Sequence, residues 1–141
     1  MSVLKGYAKW AFITKPNTKY EATYIINVVV TEEIAKVFRE KGHLVKQEPE
    51  GPAIVVQRKV NGPNGIVRPA PKLLNINNEE IDSLIGNGSF VAVQFNEYSG
   101  VSEHGPYKGL DLQAVKILKE VEYTQEDQYE KDGQELLNVT E

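Results

Sequence analysis

The stretch YEATYIINVVVTEEIAKVFREKG (residues 20–42) carries two periods back to back, and the change between them decides the fold. Tyr20, Ala22, Tyr24, Ile26, Val28 and Val30 recur at every second position, which is the period of a β-strand. Toward Val30 both faces become apolar, as in a strand buried on both sides. From Thr31 the spacing changes: Ile34, Val37 and Phe38 stand at i, i+3 and i+4, the stripe of an amphipathic helix. Thr31 is placed to cap that helix, with Glu32 and Glu33 in its first turn. Lys36, Arg39 and Lys41 follow before Gly42, and acid early with base late suits the helix dipole. One long strand is therefore followed by one helix.

Outward from this stretch the chain is mostly alternating and β-branched. GYAKWAFIT (6–14) sets Ala8, Trp10 and Phe12 on one face and Tyr7, Lys9, Ala11 and Ile13 on the other, and KPNTK (15–19) supplies a turn. QEPEGP (47–52) reads as a loop, AIVVQRKVN (53–61) as a strand and NGPNG (61–65) as a tight turn. IVRPAPKLLNIN (66–77) is extended, and Pro69 and Pro71 confine it to a sheet edge or a traversing loop. NNEEIDSLIGNG (77–88) has room for a short helical turn stopped at Gly86. SFVAVQFNEY (89–98) and LDLQAVKILKEVEY (110–123) are two further strands, and SGVSEHGPYKG (99–109) between them reads as a long mobile loop. The tally is a mainly β chain: a small OB-fold-like five-stranded barrel with one short helix, or else a β-sandwich. In OB barrels the helix usually follows the third strand, whereas here it follows the second.

At 141 residues the chain fits one domain with its own core. The formal charge of −4 is unevenly spread. Residues 120–141 hold eight acids and one lysine, or −7, and residues 1–119 hold twelve acids and fifteen bases, or +3. The organisation expected is a binding domain over 1–123 and an acidic tail over 124–141, a pairing that allows a binder to regulate itself. The absence of cysteine rules out disulfides and thiolate chemistry and suits a reducing cytoplasm. The opening MSVLKGYAKWAF lacks the apolar core of a signal peptide, and no apolar run approaches the roughly 20 residues of a membrane span. A cytoplasmic protein with no membrane contact is expected.

Catalytic patterns are missing. His43 and His104 stand in separate loops, away from any ligand at metal-binding spacing, and read as surface residues. GNGS (86–89) lacks the GK[ST] of a phosphate loop and runs into a strand, so it reads as a turn. The carboxylate pairs Glu32/Glu33 and Glu79/Glu80 belong to helix starts. Neither an enzyme nor a cofactor or metal site is expected. The richer pattern is aromatic residues interleaved with bases: Tyr7, Lys9 and Trp10 together, then Lys15 and Lys19 around the first turn. Further on come Arg58 and Lys59, Arg68 and Lys72, and Tyr98, Tyr107 and Lys108. Single-stranded nucleic acid needs these two ingredients, cations along the phosphates and rings against the bases. The same residues have plainer uses. Trp10 serves as core or as platform, Phe12 and Tyr24 read as core, and scattered lysines are ordinary surface. Arg58 and Lys59 alternate, so at most one of them is expected on a given groove face.

GYAKWAFITKPNTKYEATYIINVVV, RKV, IGNGSFVAVQF and the closing GLDLQAVKILKEVEY with its acidic tail together resemble the single-stranded DNA-binding proteins encoded by short-tailed bacteriophages. The likeness runs along most of residues 6–123, and WAFITKP, IGNGS and LDLQAVKILKEVEY are its most specific pieces. It implies an OB-fold barrel that coats single-stranded DNA during replication and recombination, without sequence preference and without catalysis. It also implies an acidic tail that competes for the groove and recruits a polymerase, helicase or nuclease. The family's tail closes on an aromatic or hydrophobic tip, whereas this one ends Asn138-Val139-Thr140-Glu141, with Leu136, Leu137 and Val139 as its apolar handle. The groove expected on these grounds comprises Tyr7, Lys9, Trp10, Lys15, Arg58, Lys59, Arg68, Lys72, Tyr107 and Lys108, with the cations on phosphates and Tyr7, Trp10 and Tyr107 stacking. The alternative is a protein-interaction or assembly barrel whose tail binds a protein partner. An RNA-binding barrel shares the same physics. An exposed edge strand would allow a homo-oligomer.

Overall fold

A computed structural model describes residues 2–121. Its elements, in chain order, are β1 (Ser2–Asn17), β2 (Thr23–Val29), α1 (Glu32–Glu40), β3 (Val45–Glu48), β4 (Gly51–Lys59), β5 (Lys72–Leu74), β6 (Phe90–Ser102) and β7 (Gly105–Lys119). The sheet order is β3-β4-β2-β1-β6-β7-β5, and a further pairing of β4 with β7 closes β1, β2, β4, β7 and β6 into a five-stranded barrel. The closing contact is parallel, at Gln57 opposite Asp111, while the other barrel pairings are antiparallel. This closure decides for the OB-type barrel and against the sandwich. The acidic tail at 124–141 lies outside the described residues.

The helix forms where the period changed. Thr31 Oγ1 accepts from the Ile34 amide at 3.4 Å, and Ala35 is buried as α1 packs over β3 and β4. Inside the barrel Ile26, Val28, Ile54, Val56, Val91, Val93, Leu112 and Val115 are fully buried, and Tyr24 joins the same cluster as expected. Val28 and Val29 are both buried, as the two-sided apolar end of β2 foretold. β5, beyond the prolines, is the last strand in the sheet order, where it pairs with β7 and bridges Glu80 through Leu74.

β1 does not alternate as read. Leu4 and Ala8 are buried, then Ala11 and Ile13, so the inward phase moves from even to odd positions at Lys9 and Trp10. The register against β2 shifts between Lys9 and Phe12, and Trp10 has a φ of 53°. An extra residue in one strand of a pair is a β-bulge, which reverses the facing of everything beyond it. Phe12 therefore stands on the outer side, half-buried, and Tyr7 and Lys9 do not share an environment: Tyr7 is exposed and Lys9 is buried.

Three loops also differ from expectation. Residues 99–109, read as mobile, extend β6 and β7 into a hairpin whose two-residue turn at Glu103-His104 is held by Ser102. QEPEGP makes the tight turn of the β3–β4 hairpin around Pro49-Glu50. Residues 77–88 contain no helical turn; instead Leu74 bridges Glu80 and the chain runs without helix or strand to the Asn87-Gly88 turn. Backbone pairing across β-strands wins in each case over weak local preference.

Gly6 lies where β1 crosses from β6 to β2, and a Cβ there would fall 2.7 Å from Val28 Cγ1 and closer still to the Val29 carbonyl oxygen. Gly6→Ala should destabilise the protein by about 1–3 kcal/mol, the usual cost of overpacking. The urea midpoint should fall with an unchanged slope. An unmoved midpoint would mean that the two strands do not approach this closely.

Candidate nucleic-acid interface

The long β6–β7 hairpin carries a reciprocal pairing. Tyr98 stands opposite Gly109, and Gly100 opposite Tyr107. A Cβ on Gly109 would fall 2.5 Å from Tyr98 Cζ, and one on Gly100 would fall 2.5 Å from Tyr107 Cζ. Each ring therefore lies across a glycine of the other strand, a way of covering backbone that only glycine permits. Positions two apart share a face, so both tyrosines lie on the same side of the hairpin. They are 48% and 51% exposed, so each ring keeps a face in solvent.

Two depressions meet at Tyr98. One, of about 450 Å³, is lined by Gln57, Arg58, Lys59, Arg68, Asn96, Tyr98 and Asp111. The other, of about 300 Å³, is lined by Lys41, His43, Glu97, Tyr98, Ser99 and Lys108. Arg58 and Lys59 line the same hollow, contrary to the expectation from alternation. β4 ends at Lys59, and the Arg58 guanidinium turns back to Asp111 beside the single β4–β7 bridge.

The cations differ in what already holds them. Arg58, 11% exposed, makes two hydrogen bonds of 3.0 Å to the Asp111 carboxylate and one of 3.1 Å to the Pro69 carbonyl. Its charge is spent on closing the barrel. Arg68 donates to the Lys59 carbonyl at 3.1 Å, and Lys59 faces Glu21 at 3.4 Å across solvent. Exposed pairs of that kind are worth at most about 1 kcal/mol and exchange readily for a phosphate. Lys108 donates to the Lys41 carbonyl at the C-cap of α1 at 2.6 Å, which ties the hairpin to the helix.

The other expected groove residues lie elsewhere. Tyr7, Lys9, Trp10, Lys15 and Lys72 line neither depression. Lys9 pairs with Glu50 at 3.1 Å, its ammonium 4.7 Å from the centre of the Trp10 ring. Trp10 is half-buried at the bulge, and its backbone N–H donates to Asn87 Oδ1 at 2.9 Å. Lys15 and Lys72 are exposed on β1 and β5. Lys41, His43, Gln57 and Asn96 line these depressions without having been singled out for them. The pairing of Tyr98 with Tyr107, by contrast, had a signal in the sequence, two Tyr-x-Gly triplets, at 98–100 and 107–109, flanking a turn. Among the described residues no cluster of three or more His, Asp or Glu is arranged to hold a metal.

His43 is not a surface residue: its side chain is 5% exposed, packed near Phe38, and its Nε2 lies 2.9 Å from Glu97 Oε2. That hydrogen bond lowers the Glu97 pKa below its ordinary value of 4.5; burial opposes it, and the neighbouring Lys41 adds a lesser lowering. A carboxyl depressed in the folded state adds stability above its unfolded pKa and loses it as the pH falls through the folded one. The stability advantage of the parent over Glu97→Gln should therefore shrink as the pH falls below 4.5. Urea titrations from pH 3 to 7 read this directly. A difference independent of pH would remove the carboxylate from the account.

No protein-family model matches the sequence. No curated protein matches it either. Solved structures do match in three dimensions. The single-stranded DNA-binding protein from bacteriophage Enc34 superposes with a TM-score of 0.60 at 19% identity, over 91% of this chain and 87% of its own. The same protein in complex with single-stranded DNA gives 0.59 at 18%, over 86% and 88%. The gp2.5 single-stranded DNA-binding protein of bacteriophage T7 gives 0.61 at 14%, over 94% and 97%. At these identities the likeness is one of fold, and the chain shares nearly the whole fold of these phage single-stranded DNA-binding proteins.

Proposed function

We propose that this protein binds single-stranded DNA without sequence preference along the face formed by Tyr98, Tyr107, Lys59, Arg68, Lys41 and Lys108. The observation that carries the reading is the pair of half-exposed tyrosine rings laid across glycines, with cations on either side. Any base offers a π face, so ring stacking is indifferent to sequence, and a flat ring already fixed over a glycine loses little freedom on binding. The fold shared with a phage protein solved on single-stranded DNA supports the same reading. The protein then acts by coating and protecting strands in phage DNA replication and recombination, in the host cytoplasm and without catalysis. The acidic tail competes with DNA for the basic face or recruits replication proteins, since six acids against one lysine in 124–141 imitate a polyanion.

Titration of an oligothymidine of about 30 nucleotides, longer than one OB-fold footprint of about 4–16, tests this at several salt concentrations. Tyr98→Leu and Tyr107→Leu should each weaken binding by about 1–3 kcal/mol with the salt slope unchanged. Lys108→Gln should lower the slope by about 0.7. Gly109→Ala should act like Tyr98→Leu, because it lifts the ring without removing it. A chain ending at Tyr123 should bind more tightly if the tail competes. Failure of every form to bind at low salt would turn the assignment to an assembly barrel, and preference for oligouridine would turn it to RNA.

A further inference from the structure

A third hollow, of about 500 Å³, lies at the N-terminal end of α1 and is lined by Tyr7, Val29, Val30, Ile34, Gly88 and Phe90, with Lys5 and Glu50 among its polar neighbours. It is apolar where the first two are polar. The Tyr7 and Phe90 rings meet at 5.2 Å between centroids, and Tyr7 and Ile34 are both exposed at its rim. The charges around it are largely settled: Glu50 is paired with Lys9 and Glu32 with Arg39, while Lys5 has no acidic partner among the described residues. The last described residue, Val121, sits next to it. Its N–H donates to Ser89 Oγ at 2.9 Å, and its Cγ2 lies 3.9 Å from where a Cβ of Gly88 would stand.

Twenty residues follow Val121, running through the acids of 126–135 to Leu136-Leu137-Asn138-Val139. The fourteen residues 122–135 span at most about 50 Å, ample for the chain to return to a hollow it has just left. A short tether of this kind holds its end at about millimolar concentration, so even a millimolar site would be occupied about half the time. We propose that Leu136, Leu137 and Val139 dock into this hollow of their own chain, with Lys5 answering the carboxylates of Glu135 and Glu141. The DNA-binding reading neither requires this contact nor excludes it. Docking would turn the acidic stretch into a closed loop with both ends at one pole of the barrel.

The cysteine-free sequence makes the test direct. Thr140→Cys in the full chain takes a single nitroxide, and the loss of amide signals in the ¹⁵N spectrum reports which residues it approaches. The expected result at low protein concentration is loss of most of the intensity at Tyr7, Ile34 and Gly88, with Lys59, Tyr98 and Lys108 spared. Leu136→Ser with Leu137→Ser in the labelled chain should restore those signals. So should Ile34→Glu on the receiving side, where the spectrum itself shows whether the fold survives. Broadening centred on Lys59, Tyr98 and Lys108 would overturn the proposal by placing the tip on the basic face. Broadening seen only when labelled chains are mixed with separate ¹⁵N chains would overturn it in favour of a second copy. Broadening that persists in both variants would overturn it outright.

Discussion

The barrel depends on a single extra residue in β1. Residues 2–7 of that strand pair with β6 and residues 7–17 pair with β2, so one strand must serve two partners that diverge around a closed surface. A regular strand of sixteen residues is too straight for this. The bulge at Lys9–Trp10 supplies the bend, at the cost of a tryptophan in the left-handed region, typically about 1–3 kcal/mol. The Asn87-Gly88-Ser89 turn offsets that cost. Asn87 accepts from the Trp10 amide, the Gly88 amide donates to the Ala8 carbonyl at 2.8 Å, and the Ala8 amide donates to the Ser89 carbonyl at 2.8 Å. The GNGS stretch, which could be mistaken for a phosphate loop, is the clasp that holds the bulge. Ser89 extends it by bonding both backbone groups of Val121.

This explains which parts of the fold were legible in the sequence. The helix was, because its cap and charge order agree with one another. Its buried face was not, because Ala35 and Phe38 pack inward while Ile34 and Val37, two of the three residues of the expected stripe, are exposed. The alternation of β2 was, because nothing interrupts the strand between Thr23 and Val29. The facing of β1 was not. Ala8, Trp10 and Phe12 satisfy a period of two on paper, and the insertion that breaks the period is stabilised by Asn87, nearly eighty positions away in the chain. The same reasoning covers the hairpin at 99–109. Its glycines look like loop residues until Tyr98 and Tyr107 are seen to lie over them, and that reciprocity exists only once Ser102 and Gly105 fix the register. The two Tyr-x-Gly triplets were there to be read, but polar glycine-rich composition pointed the other way.

For the interface, composition showed that bases and rings were plentiful without showing which were free. Arg58 illustrates the difference. A guanidinium with two bonds to one carboxylate and a third to a carbonyl is a structural tie across the β4–β7 seam, and turning it to a phosphate would leave Asp111 uncompensated beside that seam. Lys59, one residue on, gives up only an exposed contact with Glu21. The strand end that delivers both to one hollow thus separates their roles. Tyr7, Lys9 and Trp10 were grouped by nearness in sequence, and the bulge disperses them: Lys9 into a pair with Glu50, Trp10 against Asn87 and Tyr7 into a ring contact with Phe90.

The short helix gives these pieces a common frame. Its nine residues span about 14 Å, and each end meets a different surface. At the C-terminal end Lys41 and His43 reach Glu97, and the Lys41 carbonyl receives Lys108 from the tyrosine hairpin. At the N-terminal end Thr31 and Ile34 border the apolar hollow beside which the described chain ends. OB barrels usually carry their helix after the third strand, where it plugs one end. Here the insertion after β2 lays the helix over β3 and β4 instead, so that it links a polar, aromatic face to an apolar one. One rigid element thus borders both surfaces, with Thr31 and Ile34 at one and the Lys41 carbonyl that receives Lys108 at the other.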